Sequence, residues 1–406
     1  MGHCLICDTA IQPFISFGRM PIANHFLLPN EFDDEFFYEL KVGYCGQCRM
    51  VQLVERVEPE KLFHDHYAFY SSTSSRMAKH FEEFADVVCR NHLKGKDSFI
   101  VEIGSNDGIL LRHFAHRGLR HLGIEPSKNV AQVALDRHLD VITEFFSADL
   151  ATEIVRKRGK ADAILAANVM CHIPNLHSVA EGIKQLLKPE GILIFEDPYL
   201  GDIVEKTSYD QIYDEHVFYF SLRSISGFFE RHGMEVIDVI PQDVHGGSMR
   251  YVVAHEDRHR VSDRVKDQES KEKTLGLDEE ETFESLARNI ERSRGRLISA
   301  LRALRNEGKS VVGYGATSKS TTVINYCGIT PDLVRYISDT TPIKQGKYSP
   351  GGHIPIQSYE FFCADYPDVA LLFAWNHAEE IMAKEKVFLE KGGKWLTYIP
   401  RVEVIG

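Results

Sequence analysis

Long apolar runs are missing from this chain of 406 residues, and no stretch has the length and uniform hydrophobicity that crossing a bilayer requires, so no membrane span is expected. Positive charge is also in short supply. Lys and Arg number 47 against 59 Asp and Glu, a formal net charge of −12. That balance excludes a broad nucleic-acid footprint, which needs a basic face, but leaves room for a local basic pocket around a phosphate. The opening MGHCLICDT lacks the basic-then-apolar pattern of a secretory signal, and a cytoplasmic location is expected. Cysteine is sparse, with eight residues, four of them in two CxxC pairs. This usage fits metal binding in a reducing compartment better than a disulfide framework. No glycine turn ends in the Gly-Lys-Ser/Thr of a nucleotide P-loop. What is present, 43% hydrophobic and 26% charged residues, is ordinary for globular protein, and the length predicts two or three domains.

The first unit, residues 1–60, carries Cys4-Leu5-Ile6-Cys7 and Cys45-Gly46-Gln47-Cys48. Each pair sits on a knuckle that turns both sulfurs inward, and together Cys4, Cys7, Cys45 and Cys48 supply the closed tetrahedral set of a structural zinc site. His3, His25, His64 and His66 are competing ligands in principle, and redox use of the pairs is the alternative.

The second unit, residues 61–255, is organised around Phe99–Phe114, FIVEIGSNDGILLRHF. A strand ending in Glu102 meets the turn Gly104-Ser105-Asn106-Asp107-Gly108, and an amphipathic segment follows, which is how an α/β sheet brings a ligand to its backbone. Glycine at 104 and 108 permits positive φ and leaves no Cβ in the ligand's way. A second strand ends in Glu125-Pro126-Ser127, where a carboxylate suits the hydroxyls of a ribose. Further strands end near Phe146, at Asn168 and Val169 with His172 just beyond, and at Glu196, Asp197 and Tyr199. Alternating strands and helices predict a parallel, doubly wound sheet. Before the central strand, Tyr67 and Tyr70 flank a serine-rich loop suited to covering a pocket. After the sheet comes Y-D-Q-I-Y-D-E-H-V-F-Y-F, residues 209–220, dense in proton-transfer groups.

The third unit, residues 256–406, begins with a charged stretch to about 280, expected as a solvated connection or helix surface, and a helix over 281–307 ending at Gly308. A second strand–turn–helix follows, V-V-G-Y-G-A-T-S-K-S, whose Gly315, Ala316, Ser318, Lys319 and Ser320 form a candidate phosphate cradle. The next strand ends at Asp339, and Lys344, Lys347 and His353 belong to the same edge.

E-x-G-S-N-D-G followed by I-E-P-S resembles the cofactor site of class I S-adenosylmethionine methyltransferases, and L-L-K-P-E-G before an apolar strand strengthens that likeness. With the paired CxxC unit and Y-D-E-H-V-F-Y-F-S, the chain is similar along its length to sugar C-methyltransferases acting on nucleotide-linked 4-keto-6-deoxyhexoses. The resemblance implies an α/β chain with an N-terminal zinc-binding unit, a central class I methyltransferase domain and a second Rossmann-like C-terminal domain. It implies S-adenosylmethionine and structural zinc as cofactors and a TDP- or GDP-linked 4-keto-6-deoxyhexose as partner, on a monomer. It assigns proton handling to Tyr213, Glu215 and His216, with His172 and Tyr67 facing the sugar, and gives the C-terminal domain to the nucleotide diphosphate. Glu102, Gly104, Asn106, Asp107, Gly108, Glu125, Pro126, Ser127, Phe146, Asn168 and Val169 are then the cofactor residues. Tyr70, Tyr199, Tyr219, Gly315, Ala316, Ser318, Lys319, Ser320, Asp339, Lys347 and His353 are the substrate residues.

The expected chemistry is removal of the C3 proton of a 4-keto sugar by His216, with Glu215 or Asp214 holding the imidazole and a tyrosine or His172 at the C4 oxygen. Two other classes compete. An NAD-dependent nucleotide-sugar oxidoreductase would use the 310–322 turn, and a zinc-ribbon adaptor would need no catalysis.

Overall fold

A computed structural model describes residues 2–63, 71 and 75–406. Tyr67 and Tyr70, with His64 and His66, lie outside the described residues.

The central sheet explains where ligands can sit. Its strands are β1 (Phe99–Ile103), β2 (Arg120–Ile124), β3 (Val141–Ile142), β4 (Ala161–Ala167), β5 (Leu187–Pro198), β6 (Met234–Gln242) and β7 (Ser248–His255), in the order 3-2-1-4-5-7-6. β3, β2, β1, β4 and β5 run parallel, and β7 lies antiparallel to both β5 and β6. The parallel strands read as continuous apolar runs because helices cover both faces: every residue of β1 is buried. From β1 the chain winds one way to β2 and β3, then crosses to β4 and β5 on the other side. That reversal opens a crevice at the carboxyl ends of β1 and β4, the place where such sheets bind ligands.

The N-terminal unit is a four-stranded antiparallel sheet built from Pro13–Pro21, Phe37–Tyr44 and Val51–Leu53, closed at its edge by Phe218–Tyr219 from the central unit. Phe218 pairs with Gln52 and Tyr219 with Val51. A strand from the proton-transfer stretch is thus hydrogen-bonded into the cysteine-bearing sheet.

The C-terminal sheet comprises β8 (Val311–Tyr314), β9 (Ile337–Ser338), β10 (Ile356–Gln357), β11 (Val369–Leu372), β12 (Lys394–Thr397) and β13 (Glu403–Ile405), in the order 10-9-8-11-12-13. All but β13 are parallel. Its switch point lies beside the start of helix Ser318–Cys327, capped by the Thr317 hydroxyl accepting from Ser320 N–H.

Of the two forms expected for the charged stretch after 255, a helix surface is found: helix Asp263–Leu275 packs on β6 and on helix Leu222–Glu230 and keeps most of its charged residues outward. Glu272 is buried there and accepts hydrogen bonds from the Leu222 and Arg223 backbone N–H groups and the Tyr199 hydroxyl. The reason is capping: Glu272 satisfies the open amides at the start of helix Leu222–Glu230. The predicted helix over 281–307 is found at Glu280–Asn306 and stops at Gly308, whose φ is +73°.

Candidate active site

All three units line one cavity of about 910 Å³. Its first wall is the turn after β1. Gly104 has φ +68° and Asn106 φ +47°. A Cβ on Gly104 would stand 2.2 Å from Val169 Cγ2, and one on Gly108 would stand 2.2 Å from Leu139 Cδ1. The turn is fastened to β2, since Gly104 N–H donates to the Ile124 carbonyl at 2.7 Å. Asn106 and Ser127 N–H donate to the two Glu125 carboxylate oxygens at 3.0 and 2.9 Å. Burial pushes the Glu125 carboxyl up, opposed by those two amides. Each oxygen keeps a second lone pair, so a pair of vicinal hydroxyls can still be received.

Gly104, Asn106, Glu125, Pro126, Phe146, Asn168 and Val169 line the cavity. An acid at the β2 end beside the apolar edges of Pro126, Phe146 and Val169 fits a ribose with a flat base, and the residues present therefore fit S-adenosylmethionine. Four expected cofactor residues stand behind this wall. Glu102 is buried, receives the Leu111 backbone N–H, and is driven well up by burial with Asp107 and Glu125 adding to the effect. Asp107, Gly108 and Ser127 are likewise absent from the cavity surface. These residues shape the turn; the expectation that Glu102 meets the ligand is corrected, because its carboxyl tucks under the helix that follows.

The second wall comes from 209–220. His216 Nδ1–H donates to the Gln211 carbonyl at 2.8 Å, which leaves Nε2 to accept from the Tyr213 hydroxyl at 2.9 Å. Burial, then the nearby His172 and Lys319, hold His216 well below the ordinary imidazole range. Burial likewise pushes Tyr213 far up, so the phenol stays protonated. The His172 ring stacks on His216 at 5.2 Å, and burial lowers its pKa to about 4. Among the described residues, His172 Nε2 has no hydrogen-bond partner.

The expected carboxylate support for His216 is corrected. Glu215 accepts from Asn24 Nδ2 at 2.5 Å, and Asp214 accepts from Ala23 N–H at 3.1 Å. Both acids turn toward the N-terminal unit, and the backbone carbonyl of Gln211 orients the imidazole instead. Two tyrosines are also reassigned. Tyr199 donates to Glu272 and accepts from Gln268 Nε2 at 2.6 Å, facing helix Asp263–Leu275. Tyr219 is buried in the strand that joins the N-terminal sheet and is not on the cavity surface.

The third wall belongs to the C-terminal unit: Thr317, Ser318, Lys319, Lys344, Asn376 and His377, with His245 beside them. Lys319 Nζ donates to the His245 carbonyl at 2.9 Å, and burial lowers its pKa to about 8 against the opposing pull of Asp210. Lys344 Nζ donates to the Ala316 carbonyl at 2.8 Å and is lowered by burial. Gly315, Ala316, Ser320 and Asp339 build this turn from behind: Asp339 accepts from Ala316 N–H at 2.7 Å, and the Ser320 hydroxyl donates to the Thr317 carbonyl at 2.6 Å. Lys347 and His353 lie off the cavity. His353 instead hydrogen-bonds Glu35 at 2.8 Å and stacks on Phe32 at 3.8 Å, so this edge docks on the N-terminal unit while Lys344 alone turns inward. Sequence reasoning missed Asn24, Gln211 and His245. Only His245 carried a signal, the paired glycines after it, which adopt φ +92° and +124° and mark a tight turn.

The cysteines form a separate cluster. Cys4 and Cys48 Sγ lie 3.4 Å apart, Cys7 and Cys45 Sγ 3.5 Å, and all four fall within 4.8 Å of one another. Zinc at about 2.3 Å from each sulfur sets tetrahedral sulfurs about 3.8 Å apart, so the set fits the ion. Four thiolates leave no open position, and none of them lines the active cavity.

Three family models tile the chain: "Putative zinc binding domain" over residues 4–63, "Methyltransferase domain" over 64–239 and "C-methyltransferase C-terminal domain" over 243–400. The C-methyltransferase NovU of Streptomyces niveus is 37% identical over 410 residues, covering 100% of this chain and 97% of that protein. A ubiquinone biosynthesis O-methyltransferase of Pasteurella multocida is 32% identical over 118 residues, 26% of this chain and 47% of that protein. A crystal structure of an S-adenosylmethionine-dependent methyltransferase from Anabaena variabilis aligns with TM-score 0.34 at 15% identity, covering 43% of this chain and 84% of that one. The full-length match displaces both the oxidoreductase and the adaptor readings. With a cofactor cradle at the β1–β2 turns, a buried phenol–imidazole pair across the cavity and four thiolates set for structural zinc, the chain belongs to the S-adenosylmethionine-dependent C-methyltransferases.

Proposed function

We propose that the enzyme methylates C3 of a TDP- or GDP-linked 4-keto-6-deoxyhexose. The observation that carries this reading is the Tyr213–His216 pair, which shares a cavity with the cofactor cradle on one side and Lys319 and Lys344 on the other. S-Adenosylmethionine, when bound, supplies an electrophilic methyl group, so the protein's task is to make a carbon nucleophile. A carbon beside a ketone becomes one on losing its proton. His216 Nε2 is the unprotonated nitrogen, and the Tyr213 hydroxyl stands against it. Tyr213 relays the proton: its oxygen takes the C3 proton while its own proton passes to His216, and the Gln211 carbonyl steadies the resulting imidazolium. The neutral His172 lines the cavity, and its ring N–H stabilises the C4 oxygen as negative charge gathers there.

Lys319, Lys344 and Ser318 supply the cationic and polar surface for the diphosphate, and binding at that handle orients the sugar. Gly315, Ala316, Ser320 and Asp339 act by shaping the turn. The units 1–60, 61–255 and 256–406 thus serve zinc binding, cofactor binding with chemistry, and nucleotide binding on a single monomeric, cytoplasmic chain.

Proton exchange isolates the first step. Incubated in D2O with the keto sugar and without methyl donor, wild-type protein is expected to exchange the C3 hydrogen. His216→Ala is expected to lose exchange by about 100-fold or more while binding S-adenosylmethionine normally. Undiminished exchange in that variant removes His216 from the reaction.

A further inference from the structure

The N-terminal unit lines the active cavity with residues 54–60 and, from a separate segment, with Asn24. Residues 22–24 thread between the segment 212–215 and the helix Ser318–Cys327. Ala23 N–H donates to Asp214 at 3.1 Å, and the Ala23 carbonyl accepts from the Thr321 hydroxyl at 3.0 Å. The Thr322 hydroxyl meanwhile donates to the Ile212 carbonyl at 2.6 Å. At the tip of this thread Asn24 uses both ends of its amide. Nδ2 donates to Glu215 Oε1 at 2.5 Å, and Oδ1 accepts from the Ser318 hydroxyl at 2.9 Å. The partners fix the amide's orientation, because a carboxylate accepts and a hydroxyl can donate. Asn24, Glu215 and Ser318 all line the cavity, and each comes from a different unit.

We infer that Asn24 is a positioning residue for catalysis, acting through Glu215, so that a hydrogen-bond chain across three units sets the carboxylate beside the Tyr213–His216 pair. The chain Ser318–Asn24–Glu215 closes only when both flanking units are docked on the central one. Turnover is therefore tied to docking of the cysteine-bearing unit, although its metal ligands stand outside the cavity. This inference rests on the reading that the Tyr213–His216 pair faces the reacting carbon.

A double-mutant cycle tests it on the full-length protein. Asn24→Ala is expected to lower kcat by about 10- to 100-fold in the wild-type background, with S-adenosylmethionine affinity and the KM for the sugar nucleotide nearly unchanged. In the Glu215→Gln background the same change is expected to lower kcat by less than about threefold, because the group it positions is already altered. Ser318→Ala, which removes the far end of the chain, is expected to give a smaller loss of kcat that Glu215→Gln also abolishes, while its place on the diphosphate surface raises KM in both backgrounds. Equal losses in both backgrounds, or wild-type kcat in Asn24→Ala, overturn the inference. The same cycle read by thermal unfolding needs no substrate: coupled losses of Tm support the Asn24–Glu215 contact, and independent losses overturn it. If wild-type protein methylates none of the keto sugars, the substrate reading fails by itself, and independent losses in the thermal cycle still overturn the Asn24–Glu215 coupling that this inference requires.

Discussion

His216 is held by a backbone carbonyl and a phenol, and that pairing sets its behaviour with pH. A proton on Nδ1 is committed to Gln211, so Nε2 is the nitrogen left to accept a proton. Burial and two neighbouring basic groups disfavour the imidazolium, which lowers the pKa in the folded enzyme. A base with a lowered pKa stays unprotonated to lower pH. The acid limb of kcat/KM is therefore expected below the ordinary histidine value of about 6.5, with the rate flat from neutrality down to that point. A limb centred at or above 6.5 contradicts this assignment. At this scale the proton-transfer groups were legible in the sequence but their hydrogen-bond wiring was not. Tyr213, Glu215 and His216 are adjacent in the chain, and adjacency suggested an acid behind the imidazole. Backbone direction decides otherwise, turning Glu215 toward Asn24, a residue 191 positions away with no spacing pattern to announce it.

Elements were easier to read than contacts, because periodicity and turn chemistry are local. β1, β2 and β4 lie where apolar runs predicted them, and the turn between β1 and its helix has the positive φ that its glycines anticipated. Gly104 is the sharpest case, since a Cβ there would collide with Val169 and strain the backbone at once. Gly104→Ala is expected to destabilise the protein by about 1–3 kcal/mol and to weaken S-adenosylmethionine binding by displacing Val169. Thermal unfolding and isothermal titration check both; wild-type values for each would mean the turn tolerates the methyl. Helix Asp263–Leu275 was legible as a charged connection or helix surface, but its packing was not. Its sequence is charged nearly throughout, and the burial of Glu272 against open helix amides leaves no mark on hydrophobic patterning.

On the scale of the whole molecule, the cysteine-bearing unit and the segment 209–220 share a sheet. Val51–Leu53 pairs with Phe218–Tyr219, two residues beyond His216, and Asn24 enters the cavity from the same unit. The protein is expected to carry one zinc per chain, and stripping it with a strong chelator is expected to lower Tm and abolish turnover together. Full activity in metal-free protein would separate the two. The central and C-terminal sheets were both visible as strand–turn–helix units. The way their switch points converge on one cavity was not, because long-range docking rests on scattered polar pairs such as Lys319 with the His245 carbonyl. That convergence is what the substrate reading draws on: a cradle fit for the cofactor on one wall, Lys319 and Lys344 on the other, and the phenol–imidazole pair beside them. Mass spectrometry of nucleotide sugars tests it most directly. Purified protein and S-adenosylmethionine, incubated with TDP- and GDP-linked 4-keto-6-deoxyhexoses, are expected to yield a sugar nucleotide heavier by one methyl group on carbon, together with S-adenosylhomocysteine. Cofactor binding without a methylated product on either nucleotide series would contradict the account.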